Sequence, residues 1–235
     1  MSVQAQAGQL QDMIGQSQRI VFFGGAGVST ESGIPDFRSA NGLYCRQAVI
    51  PPETVLSHTF FLEHPDQFFD FYRKNMIFPH AQPNAAHQTL AVLERIGKLK
   101  AVITQNIDGL HQAAGSKNVL ELHGSVHRNH CMRCHRPYSL SAILNCDGIP
   151  RCSCGGTIKP DVVLYEESLD GETMERAASV LEDADLLIIG GTSLAVYPAA
   201  GLIRYYHGSK LVVLNKTGAN APADLVLCEP IAELL

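Results

Sequence analysis

Tryptophan is absent, and no apolar run approaches the roughly 18 residues that a membrane helix needs. The best, Leu186-Leu187-Ile188-Ile189, reaches a glycine pair after four residues. Charge is sparse as well: 17% of the 235 residues are charged, 18 basic against 23 acidic, giving a net charge of −5 and a pI near 6.0. So small a net charge beside 46% hydrophobic residues excludes a disordered chain. The acidic balance argues against a dedicated nucleic-acid binder, whose domain is usually clearly basic. Met1 to Gln18 is Gln-rich but lacks the basic start, apolar run and small-residue cleavage site of an export signal. The expectation is a soluble, cytoplasmic, globular protein with one sizeable core and room for a smaller module. What the chain does carry is 20 glycines and an odd number of cysteines, seven.

Four short apolar runs, each flanked by glycine or turn residues, read as buried parallel strands: Arg19 to Phe23, Ala101 to Thr104, Leu186 to Ile189 and Leu211 to Leu214. Val119 to Leu122 is a weaker fifth. Helical patterns intervene. Ala85 to Ile96 places Leu90, Leu93 and Ile96 on one face, Asp170 to Glu182 follows, and Ala199 to Tyr206 ends at Gly208. Strands alternating with helices imply an α/β fold whose ligands bind at the carboxyl ends of the strands. Two stretches fit such a sheet poorly: Phe37 to Pro83, rich in aromatics, and Cys131 to Cys154, which holds five cysteines. No internal repeat or low-complexity tract is present. The expected architecture is a Rossmann-like parallel sheet from residues 1–36, 84–126 and 158–235. Its smaller module is made of a helical insertion at 37–83 and a zinc-binding insertion at 127–157.

Behind the first strand lies Gly24-Gly25-Ala26-Gly27-Val28-Ser29-Thr30, a glycine-rich turn into a helix start, which offers backbone N–H groups to a diphosphate. As a dinucleotide fingerprint it is imperfect. Gly25-x-Gly27 is present, Thr30 stands at the third glycine position, and no acidic residue closes a second strand about 20 residues on. The competing reading is a plain strand-to-helix turn. Downstream, Pro35 stiffens the loop, Phe37 can cover a flat ring and Arg38 can pair with phosphate. Gly190-Gly191-Thr192-Ser193 after the third strand adds glycine backbone and two hydroxyls. Asn215 after the fourth offers an amide to ribose. Three polar strand ends on one sheet favour a nucleotide site over ordinary turn chemistry.

Gln105-Asn106-Ile107-Asp108-Gly109-Leu110-His111 directly follows a buried strand and can bind an amide and a ribose, or hold a general base. Its bland alternative is a capped helix start, with Asp108 or Asn106 as N-cap. His123, just past an apolar strand and beside Gly124, can face a cleft and accept a proton near pH 7. Cys131-x2-Cys134 and Cys152-x-Cys154 read as a tetrahedral zinc site, with Gly155-Gly156 letting the tighter knuckle close. Four thiolates leave no open position for water, so the zinc is structural. Cys146, His130 and His135 are possible substitute ligands; Cys45 and Cys228 are left as free thiols.

These motifs together resemble the sirtuins, NAD-dependent protein-lysine deacylases. The resemblance rests on Gly25 to Arg38, Gln105 to His111, His123-Gly124, the cysteine pairs and Gly191 to Ala200, all in family order. It implies that an acetyl-lysine oxygen attacks the nicotinamide ribose of NAD and that His123 is the general base. The acetyl group thereby passes to ADP-ribose. It places Ala26, Thr30, Phe37 and Arg38 in the NAD site beside Gly25 and Gly27, with Phe37 near the nicotinamide. Gln105, Asn106, Ile107 and Asp108 meet ribose and nicotinamide. Gly191, Thr192 and Ser193 meet phosphate or ribose, Asn215 the adenosine ribose, and the backbone near Cys228 the adenine. Val162, Val163, Leu164 and Tyr165 form the segment that pairs with an acetylated protein or peptide. Here Tyr165-Glu166-Glu167 stands where the family usually has Phe-Gly-Glu. Sirtuins that prefer acidic acyl groups carry Tyr-x-x-Arg; Tyr72-Arg73-Lys74-Asn75 has asparagine at the arginine position, which favours a neutral acetyl group. Alternatives are a mono-ADP-ribosyltransferase on the same scaffold, or a non-catalytic module that senses NAD or binds nucleic acid through the arginines around the cysteines.

Overall fold

The structure, a computed structural model, describes residues 3–39, 42–45, 50–216 and 223–235. Its helices are α1 (Val3–Gln16), α2 (Pro52–Val55), α3 (His58–Glu63), α4 (Pro65–Asn75), α5 (Ala85–Arg95), α6 (Leu110–Ala113), α7 (Ser141–Leu144), α8 (Gly171–Glu182) and α9 (Ile231–Leu234). The strands are β1 (Ile20–Gly24), β2 (Leu99–Thr104), β3 (Val119–Glu121), β4 (Gly124–Cys131), β5 (Pro137–Ser139), β6 (Ile158–Val162), β7 (Leu186–Gly190), β8 (Leu211–Leu214) and β9 (Leu225–Leu227). Three 3₁₀ helices cover Ala26–Ser32, Leu43–Cys45 and Ala199–Tyr205.

Six strands make one sheet in the order β3-β2-β1-β7-β8-β9, and every neighbouring pair is parallel. With β4 to β6 set aside in their own sheet, this is the doubly wound dinucleotide-fold order. The winding direction reverses between β1 and β7, so a crevice opens where Gly24 and Gly190 end two paired strands. Alternate residues feed opposite faces. Ile20, Phe22, Val102, Ile188 and Val212 pack with Leu10, Leu90 and Ile231 on one side. Val21, Phe23, Ile103, Ile189 and Val213 pack with Ala177, Leu181 and Leu202 on the other. Burial on both faces is why these strands read as unbroken apolar runs.

The smaller module carries the antiparallel sheet β5-β4-β6. Its core joins Phe61, Phe68, Phe69 and Tyr72 from α3 and α4 to Val126, Cys131, Ile143, Ile158 and Val162. Phe61 meets Phe68 edge-on at 4.9 Å between centroids, and Tyr72 stacks on Phe68 at 5.5 Å. Such pairs add roughly 0.5–1.5 kcal/mol each beyond area burial, which helps two short helices hold a core of their own.

The structure departs from expectation in four places. Ala199–Tyr205 is 3₁₀ rather than α, and it stops before Gly208. Ile96 is exposed, because α5 ends at Arg95 and Gly97, at φ +79°, turns the chain off the helix axis. The N-terminal stretch, judged only for an export signal, folds as α1 and buries Leu10; Met1 and Ser2 lie outside the described residues. A sixth parallel strand, β9, is too short at three residues to show a pattern.

Candidate functional site

Two glycine turns meet at the switch point. Gly25 N–H donates to the Gly190 carbonyl at 3.1 Å, Gly27 N–H to the Gly191 carbonyl at 2.8 Å, and Val28 N–H to the Gly25 carbonyl at 3.0 Å. A Cβ on Gly27 would stand 2.7 Å from Gly191 Cα, and one on Gly25 would stand 2.8 Å from Thr192 Cβ. Gly191 itself sits at φ +59°. These glycines therefore serve the approach of one turn to the other, and three of the N–H groups expected to be free for a diphosphate are already bonded. The helix that follows is also 3₁₀, not α. Asn84, the N-cap of α5, fastens it by donating to the Val28 carbonyl at 2.8 Å and the Ser32 hydroxyl at 3.1 Å.

The end of β2 joins this junction. Gln105 N–H donates to the Gly24 carbonyl at 3.0 Å, and Gln105 Nε2 to Thr192 Oγ1 at 3.0 Å. Ser29, absent from the expected site residues although it lies inside the quoted motif, is the hinge of the cluster. Its hydroxyl donates to Asp108 Oδ2 at 2.7 Å and accepts from Asn106 Nδ2 at 3.1 Å. Asp108 Oδ1 also takes the Leu110 N–H at 2.9 Å, so the helix-start reading and the site reading hold together. An ionised carboxylate has about four acceptor sites, which leaves Asp108 capacity for a further donor. Ile107 is half-buried beside them, and its carbonyl accepts Val126 N–H at 3.0 Å.

His123 follows β3. Its Nδ1 lies 3.0 Å from the Gln105 carbonyl, which can only accept, so Nδ1 carries the proton and Nε2 is the basic nitrogen. Burial holds its pKa below the usual 6.5, although the Gln105 bond acts to raise it. Behind the site His87 and His111 lie ring to ring at 4.7 Å. Burial lowers both, His111 to about 3.

The remaining expected residues surround this junction unevenly. Ala26 and Thr30 are half-buried, and Thr30 donates to the Gly27 carbonyl at 3.0 Å. Phe37 packs against Tyr44 at 5.4 Å, and the exposed Arg38 guanidinium sits 5.8 Å from the same ring. Asn215 Nδ2 donates to the Thr192 carbonyl at 3.3 Å. Ser193 and Cys228 are exposed.

Next to His123 runs the segment expected to meet a peptide. The N–H groups of Val163, Leu164 and Tyr165 donate to His123 O, Glu167 Oε2 and Leu56 O. Of their carbonyls, those of Leu164 and Tyr165 accept from Glu167 N–H at 3.1 Å and His58 N–H at 3.0 Å. The unusual Tyr-Glu-Glu sequence is well anchored. Glu166, at φ +75°, accepts from Thr59 N–H and Oγ1, and Glu167 accepts from Lys159 Nζ at 3.1 Å and pairs with His58 at 2.8 Å. On α4, Tyr72 is wholly buried, Asn75 donates to its own helix at Phe71 O, and Arg73 donates to the Ile143 and Gly148 carbonyls. Arg73 is thus engaged with backbone, not presented to a ligand.

The sulfurs of Cys131, Cys134, Cys152 and Cys154 all lie within 4.8 Å of one another. Zinc–sulfur bonds of about 2.3 Å give tetrahedral edges near 3.8 Å, and Cys131–Cys154 and Cys134–Cys152 stand at 3.4 and 3.6 Å. The donor set fits a structural zinc ion. Cys154 N–H and the Tyr138 hydroxyl donate to Cys152 Sγ at 3.5 and 3.0 Å, bonds that favour the thiolate a metal needs. A Cβ on Gly156 would lie 2.7 Å from Cys131 Sγ, so that glycine lets the knuckle close. Cys146 and the two candidate histidines stand outside the group; His130 pairs with Asp161 instead. The eight residues of β4 separate Cys131 from His123 by about 26 Å of extended chain.

A doubly wound sheet with a polar cluster at its switch point, carrying a small module with a four-cysteine centre, defines a Rossmann-like α/β protein with a structural metal site. The sequence pattern of the Sir2 family matches residues 25–198, and the chain belongs to that family. Similar proteins include an NAD-dependent protein deacetylase of Clostridium acetobutylicum, 57% identical over 97% of this chain and 95% of that one. Another of the same description, from Clostridium perfringens, is 58% identical over 97% and 96%. Among solved structures, a Sir2–p53 peptide–NAD+ complex superposes with a TM-score of 0.83 at 40% identity, covering 96% of this chain and 93% of that one. A histidine-to-alanine Sir2 protein with deacetylated p53 peptide and 3′-O-acetyl-ADP-ribose gives 0.86 at 39% identity, covering 97% and 95%.

Proposed function

We propose that this protein removes acetyl groups from lysine side chains of proteins in an NAD-consuming reaction. Nicotinamide, the free lysine and O-acetyl-ADP-ribose are the products. The observation that carries the reading is His123, fixed by Gln105 in the tautomer that leaves Nε2 basic, beside the Ser29–Asn106–Asp108 cluster. Relatives more than half identical over nearly the whole chain are NAD-dependent protein deacetylases. NAD, when bound, supplies an electrophilic ribose carbon with nicotinamide as its leaving group.

The chain's own residues bind, orient and move a proton. His123 Nε2 takes the proton of a ribose hydroxyl, and its lowered pKa keeps it neutral and able to accept at pH 7. Asp108 and Asn106, held by Ser29, orient the nicotinamide amide and ribose, with Ile107 against them. Gly25, Ala26, Gly27 and Thr30 form the floor of the phosphate site, Arg38 covers it, and Phe37 lies near the nicotinamide. Gln105, Gly191, Thr192, Ser193, Asn215 and the backbone at Cys228 complete the nucleotide site. Val162 to Tyr165 meet the peptide. The engagement of Arg73 and Asn75 within the fold supports a neutral acetyl group over an acidic one. Cys131, Cys134, Cys152 and Cys154 hold one zinc ion that stabilises the smaller module. The proposed division keeps residues 1–36, 84–126 and 158–235 in the larger domain and 37–83 and 127–157 in the smaller; the packing of Val126, Ile158 and Leu164 into the second core supports ends of the zinc-binding insertion that reach a few residues further out. The setting we propose is cytoplasmic; among the described residues no helix is long and apolar enough to cross a membrane.

The test is product formation by the zinc-loaded protein. Nicotinamide release is expected only when NAD and an acetyl-lysine peptide are both present, with acetyl groups recovered on ADP-ribose. Deacetylation without NAD, or ADP-ribose attached to protein without deacetylation, overturns the reading.

A further inference from the structure

Two loops far apart in sequence meet over the site. One carries Phe37 and Arg38 and closes with Tyr44, whose N–H donates to the Phe37 carbonyl at 2.9 Å and whose ring packs on Phe37. The other carries Tyr165, whose backbone N–H donates to Leu56 and whose carbonyl accepts from His58, both at 3.0 Å. Glu166 on Thr59 and Glu167 on Lys159 and His58 anchor that loop from the far side. The Tyr165 ring is 40% exposed, and its hydroxyl is hydrogen-bonded to the Tyr44 hydroxyl. No other side-chain hydrogen bond is recorded between these two loops among the described residues. The contact depends on the Tyr165 hydroxyl, an oxygen that phenylalanine would lack.

We propose that Tyr44 and Tyr165 are a positioning pair: their shared hydrogen bond joins the loop over the cofactor to the loop that receives the peptide, so that each ligand tightens the other. The inference rests on the assignment of Phe37 and Arg38 to NAD and of Val162 to Tyr165 to the peptide. Neither hydroxyl takes part in bond making. A rigid link between two loops turns two orientations into one equilibrium, and any coupling it carries is reciprocal. Burial, then the bond to Tyr165, push the Tyr44 pKa up, so the Tyr44 hydroxyl keeps its proton across the working pH range.

The experiment measures ADP-ribose affinity with and without an acetyl-lysine peptide in the zinc-loaded wild type, Tyr44→Phe, Tyr165→Phe and the double variant. The coupling factor is the ratio of the two dissociation constants. In the wild type the peptide should tighten ADP-ribose. Each single substitution should lower that factor by about 2- to 10-fold, the range of one hydrogen bond, and the double variant should lower it no further. Each change deletes one oxygen at a partly exposed contact, so thermal unfolding should barely move, whereas a purely structural role would leave the coupling factor intact. A wild-type factor of one, a factor unchanged in either single variant, or two single effects that multiply in the double overturns the proposal. ADP-ribose and peptide do not react, so the result is independent of turnover. Failure of nicotinamide release with NAD would overturn the deacetylase reading instead.

Discussion

Replacing Gly27 by alanine separates two explanations of the glycine motif. If the glycines exist to let a diphosphate approach, the substitution weakens ligand binding and leaves the empty protein stable. If they exist to let two turns pack, the empty protein itself suffers. The geometry favours the second. An added Cβ would lie 2.7 Å from Gly191 Cα and 2.8 Å from its carbonyl oxygen, both backbone atoms that cannot swing aside. To reach ordinary carbon contact the turns must part by about 0.7 Å or more. That stretches the Gly27–Gly191 hydrogen bond from 2.8 Å beyond useful range. Gly191 is held in turn by its N–H on the Leu214 carbonyl at 3.0 Å, so relief must come from β7. Overpacking of this kind costs about 1–3 kcal/mol, and the lost bond and rigid neighbours place this case near about 3. At about 2–4 °C per kcal/mol for a domain of this size, Tm should fall by about 6–12 °C. Gly8→Ala, in the interior of α1 with nothing within 4 Å, should instead gain about 0.5–1 kcal/mol. Thermal unfolding by circular dichroism, with ADP-ribose titration in parallel, reads both. An unchanged Tm in Gly27→Ala with weakened ADP-ribose binding would refute the packing argument.

His123→Ala should keep ADP-ribose binding within a few-fold while kcat falls by about 10²–10⁴-fold. In the parent enzyme the unprotonated imidazole is the active form and burial sets its pKa below 6.5, so the acid limb of kcat/KM should lie below pH 6.5; a midpoint above that value contradicts the assignment. Stripping zinc with a chelator, or Cys131→Ala, should remove the metal and unfold the smaller module, because a structural ion contributes folding energy directly; metal analysis with unfolding curves checks this, and an unaltered Tm in stripped protein argues against it. His111 stays neutral to about pH 3 when folded but protonates near 6.5 when unfolded. The unfolded chain therefore binds more protons between those values, and stability must fall as pH falls, by up to about 1.4 kcal/mol per unit. His111→Met should flatten the profile between pH 6.5 and 5, above the carboxylate range; identical slopes in both proteins would refute it.

Four of the six large-sheet strands were legible because both of their faces are buried, which forces runs such as Ile20 to Phe23 and Leu186 to Ile189 to be apolar at every position; the edge strand β3, with Val119 and Glu121 half-buried, read more weakly. Beta9 escaped because three residues carry no period. The smaller sheet escaped for another reason: β4 carries polar residues both outside, at His127 and Arg128, and inside, at Ser125 and Asn129, which hides a strand that also buries Val126 and Cys131. The 3₁₀ form of Ala26–Ser32 was also hidden, since its glycines and hydroxyls fit an α-helical start equally well. Its geometry follows from Gly191 and Asn84, 52 residues or more away from the residues they hold.

The site divides along the same line between local and distant constraint. The four zinc thiolates could be read from spacing, because a tetrahedral ion needs two short knuckles, and a short knuckle is a local pattern. Excluding Cys146 and His130 took the fold, which sends His130 to Asp161. His123 could be named from its place after a strand, but its role as a base depends on Nδ1 being held by Gln105, 18 residues earlier. Ser29 shows the limit most clearly. Within its own turn it is one more small polar residue, and only the arrival of Asn106 and Asp108 from β2 makes it a donor and an acceptor at once. The glycines around it carry the demand of turn packing, and the nucleotide role proposed for them adds a second. A motif under two demands tolerates less change than either alone would impose, so the residues most legible in the sequence are also those whose purpose the sequence alone could not assign.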